Sequence, residues 1–164
     1  MTSGGQERSD PGTATPLERL AELGVELPAV VAPLAAYVPA VRTGNLVYTS
    51  GQLPMIAGKL PQAGKVGAEV TAEEAKCLAR TCALNALAAV HSLVGVDAVV
   101  RVVKVVGFVA SASGFNGQPG VVNGASELLG DVFGDAGVHA RSAVGVSELP
   151  LNAPVEVELI VEVA

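Results

Sequence analysis

Residues 71–111 read TAEEAKCLARTCALNALAAVHSLVGVDAVVRVVKVVGFVAS and contain both kinds of regular structure that decide the fold. Thr71 and Glu74 form a capping box, apolar residues recur every three or four positions, and Gly95 follows the last of them. Residues 99–111 have the length and β-branched content of a buried strand. A helix with one apolar stripe packs on a flat surface, so this stretch predicts a helix lying on a sheet.

The flanking sequence predicts further strands and a second helix. Before the long helix, VPAVRTGNLVYTSGQLP is typical of a hairpin that turns at Thr43-Gly44-Asn45, and GKLPQAGKVGAEV is a weaker strand or a loop. After the buried strand, the loop SASGFNGQPG leads to a helix at about Val121 to Phe133. Two strands, 140–149 and 154–163, end the chain, and we expect LPLN to join them as a hairpin.

This order predicts an α+β fold, a mixed sheet with two helices packed on one face. The last strand alternates, because every second residue from Val155 to Val163 is apolar while Glu156, Glu158 and Glu162 lie on its other face with Ile160. The helices cover only the apolar face. The second face is expected to meet water or another subunit.

The chain divides into three predicted parts. Residues 1–14 are Gly, Ser, Thr, Pro and charge, which indicates a disordered tail. Residues 15–33 are predicted to form an accessory helix and a linker, with Thr15 as N-cap and Glu18 completing a capping box. Residues 34–164 form a single domain.

Composition narrows the classes of function. Half of the residues are hydrophobic and 16% are charged, but no run of 18 apolar residues indicates a membrane span. The excess apolar surface favours a subunit interface. A net charge of −6, no tryptophan and only five aromatic residues (Phe 3, Tyr 2) argue against nucleic-acid binding. Cys77 and Cys82 cannot bridge within one helix, and with no secretory signal in the first residues we expect a reducing, cytoplasmic setting.

Most catalytic motifs are absent. GKLPQAGKV has five residues where a P-loop has four between its glycines, and Val66 replaces the Mg²⁺-binding hydroxyl. There is no GxSxG, and His91 and His139 have no cysteine or carboxylate at ligand spacing, so we expect no metal site. The candidate chemistry is left to a few polar groups, namely Arg141, Glu156, Tyr37, Ser50 and Asn123.

These residues lie in stretches that resemble the reactive intermediate deaminase (RidA, YjgF or L-PSP) family. The matching stretches, over about residues 30–164, are AAYVPAVRTGNLVYTSGQLP, VVNGASELL, and ARSAVGVSELP followed by VEVELIVEVA. The resemblance implies a chorismate-mutase-like fold of the Bacillus type, trimeric through the sheets, with sites between subunits. It also implies hydrolysis of enamine or imine intermediates such as 2-aminoacrylate to 2-keto acids and ammonia, without metal or organic cofactor.

The resemblance implies a role for each candidate residue. Arg141 matches the arginine that holds the substrate carboxylate, and Glu156 matches the glutamate that positions the attacking water. Pocket-lining positions match Tyr37, Ser50, Gly51 and Asn123, while Ala143 stands where many members have cysteine. Each residue also has an ordinary alternative: an ion pair for Arg141, solvation for Glu156, packing for Tyr37, a turn for Ser50, and a helix cap for Asn123.

The two charged residues are expected on the sheet face that is buried between subunits. If LPLN closes a hairpin, Arg141 lies about 20 Å from Glu156. They would then meet across a subunit boundary. The alternatives are an endoribonuclease, which needs a basic groove and stacking aromatics, and a non-catalytic binder or sensor of small carboxylates that uses Arg141 alone.

Overall fold

The computed structural model describes residues 14–30 and 36–164, which contain three α-helices and five strands. The helices are α1 (Pro16–Glu22), α2 (Ala72–Val94) and α3 (Gln118–Phe133). The strands are β1 (Ala40–Thr43), β2 (Leu46–Thr49), β3 (Val99–Ala110), β4 (Ala140–Val146) and β5 (Val155–Val163). Most of the predicted tail and the end of the predicted linker lie outside the described residues, and the division into domains stays a prediction.

The five strands form one mixed sheet in the order β1-β2-β5-β3-β4. β1 and β2 form the predicted hairpin, β5 runs antiparallel to both β2 and β3, and β4 runs parallel to β3. The parallel pair requires a crossover, which α3 supplies. Both α2 and α3 pack on the same side of the sheet, as the sequence predicted.

The predicted hairpin between the last two strands is wrong. β4 and β5 lie on opposite sides of β3, and LPLN forms a short 3₁₀ turn with Leu151 and Asn152 at positive φ. The reason is one of burial. β3 and β5 are rich in apolar residues and occupy inner positions of the sheet, whereas β4 is rich in Ala, Ser and Gly and forms an edge.

The core lies between the sheet and the two long helices. The odd-numbered residues of β5 are buried and the even-numbered ones are half-exposed, as the alternation predicted. The capping box of Thr71 and Glu74 starts α2, and Gly95 caps its end. α2 is long and apolar enough to cross a membrane by length and composition alone, but its apolar stripe packs against α3 and β5 as a core helix does.

One local prediction changes and another is decided. α3 begins at Gln118, three residues earlier than predicted, because Pro119 is tolerated in the first turn of a helix. GKLPQAGKVGAEV, predicted as a weaker strand or a loop, is a loop with isolated bridges. Within α3, a β-carbon at Gly124 would overlap the carbonyl oxygen of Lys76, so this glycine allows α2 and α3 to approach closely.

Candidate functional site

Arg141 lies on the helix-covered face of β4. Its register neighbour on β3 is Val105, whose partner on β5 is Leu159, and both are buried. The Nη1 of Arg141 donates to the Oδ1 of Asn123 at 2.7 Å and to the Oγ of Ser126 at 3.3 Å. Both acceptors belong to α3 and share a helix face because they are three residues apart. α3 therefore holds one corner of the guanidinium.

The other edge of the same guanidinium makes no hydrogen bond to the described residues. Among residues 14–30 and 36–164, neither Nη2 nor Nε of Arg141 donates to a protein acceptor, and the two salt bridges of this part of the chain lie elsewhere. The alternative of an ion pair for Arg141 therefore finds no support in the described residues. A guanidinium binds a carboxylate through two parallel N–H groups. Nη2 and Nε of Arg141 form such an edge.

Two neighbours complete this region. His139 accepts or donates at both ring nitrogens, with Nε2 2.9 Å from the Oγ of Ser126 and Nδ1 2.6 Å from the carbonyl oxygen of Gly137. Ala143, half-buried and packed against the core, lies two residues beyond Arg141 on the same face. We call Arg141, Asn123, Ser126 and His139 the arginine half-site.

Glu156 lies on the opposite, uncovered face of the sheet. It pairs with Phe108, whose other neighbour is Val144, an exposed residue of the edge strand. The carboxylate is half-buried and has no hydrogen-bond donor among the described residues. Burial raises the pKa of Glu156, and the charge of Glu158, two residues further on the same face, raises this pKa as well. A carboxyl group in this environment exchanges a proton nearer to neutral pH than an exposed glutamate does.

Of the predicted pocket residues, Gly51 lies against this carboxylate, Ser50 precedes Gly51 in the chain, and Tyr37 lines a pocket together with Gly51. A β-carbon at Gly51 would overlap the Oε1 of Glu156, so glycine is needed for the carboxylate to occupy this position. Ser50 donates its hydroxyl to the carbonyl of Val38 at 2.6 Å, which ties the segment after Tyr37 to the end of β2. The structure therefore supports the turn alternative for Ser50. We call Glu156, Gly51, Ser50 and Tyr37 the glutamate half-site.

An open pocket of about 690 Å³ adjoins the glutamate half-site. Tyr37, which is 61% exposed, and Gly51 line it together with residues from α2 and from the loop after β2. Asn85 holds that loop, because its Nδ2 donates to the carbonyls of Leu53 and Met55 at 3.0 Å each. The pocket wall is mainly apolar. Tyr37 is therefore an exposed residue at this pocket.

The structure separates Arg141 from Glu156. They are three residues and two strand spacings apart, about 14 Å between Cα atoms, and they point to opposite faces. The expectation that both lie on the uncovered face is wrong for Arg141, because its register neighbours belong to the helix-covered set. The conclusion that the two side chains cannot share a small ligand within one chain nevertheless holds.

The sequence and fold of this chain match those of known proteins. Residues 17–163 match a family model described as "YjgF/chorismate_mutase-like, putative endoribonuclease". The chain belongs to the YjgF family. The family resemblance inferred from the sequence and the chorismate-mutase-like fold are both confirmed.

Several YjgF-family or structurally similar proteins match over nearly their whole length. Protein TCP17 of Trypanosoma cruzi is 44% identical over 145 residues, which are 87% of this chain and 91% of that protein. The crystal structure of Atu1372, a protein with unknown function from Agrobacterium tumefaciens, is 47% identical with a TM-score of 0.83, covering 89% and 91% of the two chains. A Shewanella oneidensis structure described as "a putative endoribonuclease" is 34% identical with a TM-score of 0.88, covering 92% and 100%.

Two residues of this YjgF-family chain escaped the sequence analysis. Ser126 was not singled out, although its spacing of three from Asn123 on an amphipathic helix places both on one face. His139 was set aside because it lacks a cysteine or carboxylate at ligand spacing, yet it contacts a hydroxyl instead. The alternative of a helix cap for Asn123 is wrong, because α3 begins five residues earlier and its N-cap is Gly117.

Proposed function

We propose that this YjgF-family chain hydrolyses small imino or enamino acids to 2-keto acids and ammonia. The observation that carries the proposal is the guanidinium of Arg141, which is anchored through Nη1 while its Nη2–Nε edge has no protein acceptor among the described residues. Such an edge matches the carboxylate that every 2-imino acid carries. Anchoring before binding reduces the ordering cost when the ligand arrives.

The second group that the reaction needs is a proton carrier. Glu156 is half-buried with a raised pKa, and its ionised form can accept a proton from a water that attacks the C=N carbon. The same carboxyl group then donates that proton to nitrogen. The carbinolamine loses ammonia and leaves the 2-keto acid. One water is consumed, and nothing is oxidised or reduced. An enamine first takes a proton at its β-carbon and loses one from its nitrogen, which gives the imine.

The site is proposed to form between two copies of the chain. Arg141 and Glu156 lie on opposite faces of one sheet, so one ligand reaches both only if a second copy supplies one of them. The uncovered face also carries exposed apolar side chains, Val41, Tyr48 and Val144, which a second copy would bury. The assembly is proposed to be the homotrimer that the resemblance implies.

The test is keto-acid release when an amino-acid oxidase generates imines in place. We expect the wild-type protein to accelerate release, and Arg141→Ala and Glu156→Gln each to lose at least about 100-fold in turnover. Glu156→Gln should still bind a stable 2-keto acid, whereas Arg141→Ala should not. Matched controls are Arg80→Ala, on α2, which supplies no residue to either half-site, and Glu162→Gln, on the same strand and face as Glu156.

Mixing tests whether the half-sites come from different copies. Equal amounts of the two inactive variants, unfolded and refolded together, should regain about a quarter of wild-type activity, because one interface in four pairs an intact arginine with an intact glutamate. No recovery on mixing, with both variants folded, would contradict the shared site. Carboxylate binding without any turnover would instead favour a sensor, and salt-dependent RNA binding with cleavage would favour the endoribonuclease.

A further inference from the structure

His139 is held in one tautomer by its two neighbours. Its Nδ1 is 2.6 Å from the carbonyl oxygen of Gly137, and a carbonyl oxygen only accepts, so Nδ1 carries a proton. In the neutral ring Nε2 then has a lone pair, which the hydroxyl of Ser126 reaches at 2.9 Å. Ser126 therefore donates to His139. The common tautomer of a free imidazole, with the proton on Nε2, does not fit these two contacts.

The direction of this hydrogen bond determines what Ser126 offers to Arg141. With its single proton used on His139, the hydroxyl presents only lone pairs to its other side, and Nη1 of Arg141 donates to it at 3.3 Å. The same Nη1 donates to Asn123 at 2.7 Å, which is the shorter contact. The two acceptors together hold Nη1 from α3.

The far end of this chain of hydrogen bonds is fixed by backbone packing. Gly137 is buried, and a β-carbon there would overlap the carbonyl oxygen of Leu129 near the end of α3. No larger residue fits at this position without moving the chain, so the carbonyl that sets the tautomer of His139 has one location. A continuous series therefore runs from the backbone through His139 and Ser126 to Arg141.

We propose that His139 and Ser126 are positioning residues that orient Arg141 so that its Nη2–Nε edge faces the ligand carboxylate. This inference rests on the proposed function, since it assigns a task only if Arg141 binds a carboxylate. Neither residue is proposed to touch the reacting atoms. Their contribution is to limit the rotation of the guanidinium before the ligand arrives, which favours binding more than turnover.

The first test uses the wild-type protein and has an internal control. The chain has two histidines. The Nδ1 of His91 accepts from the backbone N–H of Val96 at 3.1 Å, so its proton lies on Nε2. Nitrogen-15 NMR of the two imidazole rings, recorded at a pH of about 8, above the ordinary pKa of a free imidazole, should therefore find opposite tautomers. A His139 ring with its proton on Nε2 would overturn the proposal.

The second test measures binding of 2-oxobutyrate, a stable 2-keto acid, together with imine turnover. We expect Ser126→Ala and His139→Leu each to raise the Kd and the KM about tenfold, the effect of one hydrogen bond to a charged group, with kcat unchanged within about twofold. His139→Gln places an acceptor near the position of Nε2 and should return the Kd to within about threefold of wild type. His91→Gln is the matched control and should bind as wild type does.

The outcomes separate this inference from the function on which it rests. If Arg141→Ala binds 2-oxobutyrate normally, the proposed function itself fails. If Arg141→Ala loses binding but Ser126→Ala and His139→Leu retain it, only the positioning role fails. If those two variants lose binding, lose thermal stability and are not rescued by His139→Gln, the contacts serve the fold alone and the positioning role also fails.

Discussion

The two half-sites differ in how the protein holds them. In the arginine half-site, one guanidinium nitrogen is bound by two side chains of α3, and a histidine and a backbone carbonyl extend the series. In the glutamate half-site, no described group donates to the carboxylate, and a missing side chain at Gly51 makes the room for it. The first is held by hydrogen bonds that fix orientation. The second is shaped by burial, which changes proton affinity instead.

The largest effect on turnover is expected from a substitution at Gly51, where the carboxylate of Glu156 leaves no room for a side chain. Gly51→Ala places a methyl group against the Oε1 of Glu156, so the carboxylate must move. We expect turnover to fall at least about 100-fold, with a loss of about 1–3 kcal/mol in the free energy of unfolding from overpacking. Binding of 2-oxobutyrate should change less than turnover, because the arginine half-site is untouched. Wild-type turnover in this variant would show that the position of Glu156 is unimportant.

Arg141→Lys tests whether the arginine half-site depends on orientation or on charge. Lysine keeps the positive charge but lacks a planar edge with two donors and cannot bind Asn123 and a carboxylate with the same fixed geometry. We expect the Kd for 2-oxobutyrate to rise by about 10- to 100-fold. Calorimetric titration measures it, with Arg80→Lys as control. An affinity near that of wild type would indicate that charge alone suffices.

Gly124→Ala should disturb the arginine half-site and spare the other. The new methyl group would overlap the carbonyl of Lys76, so α3, which carries Asn123 and Ser126, must shift away from α2. We expect a loss of about 1–3 kcal/mol in chemical denaturation together with weaker 2-oxobutyrate binding. Gly130→Ala, in open space on the same helix, should instead stabilise by about 0.4–1 kcal/mol. Similar effects at the two positions would refute the close helix contact.

The smallest effect is expected in the pH dependence of stability, because ionised Glu156 lowers the free energy of unfolding. Because its folded-state pKa is raised, folding disfavours the carboxylate, and that cost is present above the folded pKa and absent below the unfolded one. Glu156→Gln should therefore raise the Tm slightly at pH 7 and leave it unchanged near a pH of about 4, where wild type is largely protonated in both states. A Glu156→Gln variant that is less stable than wild type at pH 7 would contradict the assignment.

The sequence patterns predicted the helices and strands well, because helix capping and hydrophobic alternation depend on neighbouring residues. The capping box at Thr71 and Glu74 and the alternation of β5 come from neighbouring residues, and both are present as predicted. The strand order was missed, because adjacency in sequence suggested a hairpin, whereas burial places β3 between β4 and β5. That error also misplaced Arg141, since the face of a residue depends on the register of its strand.

The candidate residues came partly from their chemistry and partly from the family resemblance. Arg141 donates to Asn123, and a β-carbon at Gly51, a position that the resemblance supplied, would overlap the carboxylate of Glu156. Ser126 and His139 had no such signal, because a hydroxyl and an imidazole thirteen residues apart become partners only when α3 packs beside β4. Sequence spacing identifies a metal ligand set more readily than it identifies a supporting hydrogen bond.

The position of β5 has a consequence for biosynthesis. This last strand lies between β2 and β3, and in the described sheet no other strand joins the β1–β2 pair to the β3–β4 pair. A nascent chain that has emerged through β4 can form a hairpin and a β-α-β unit but not a continuous sheet. The two parts can connect only once β5 has left the ribosome, so a continuous sheet depends on contacts distant in sequence.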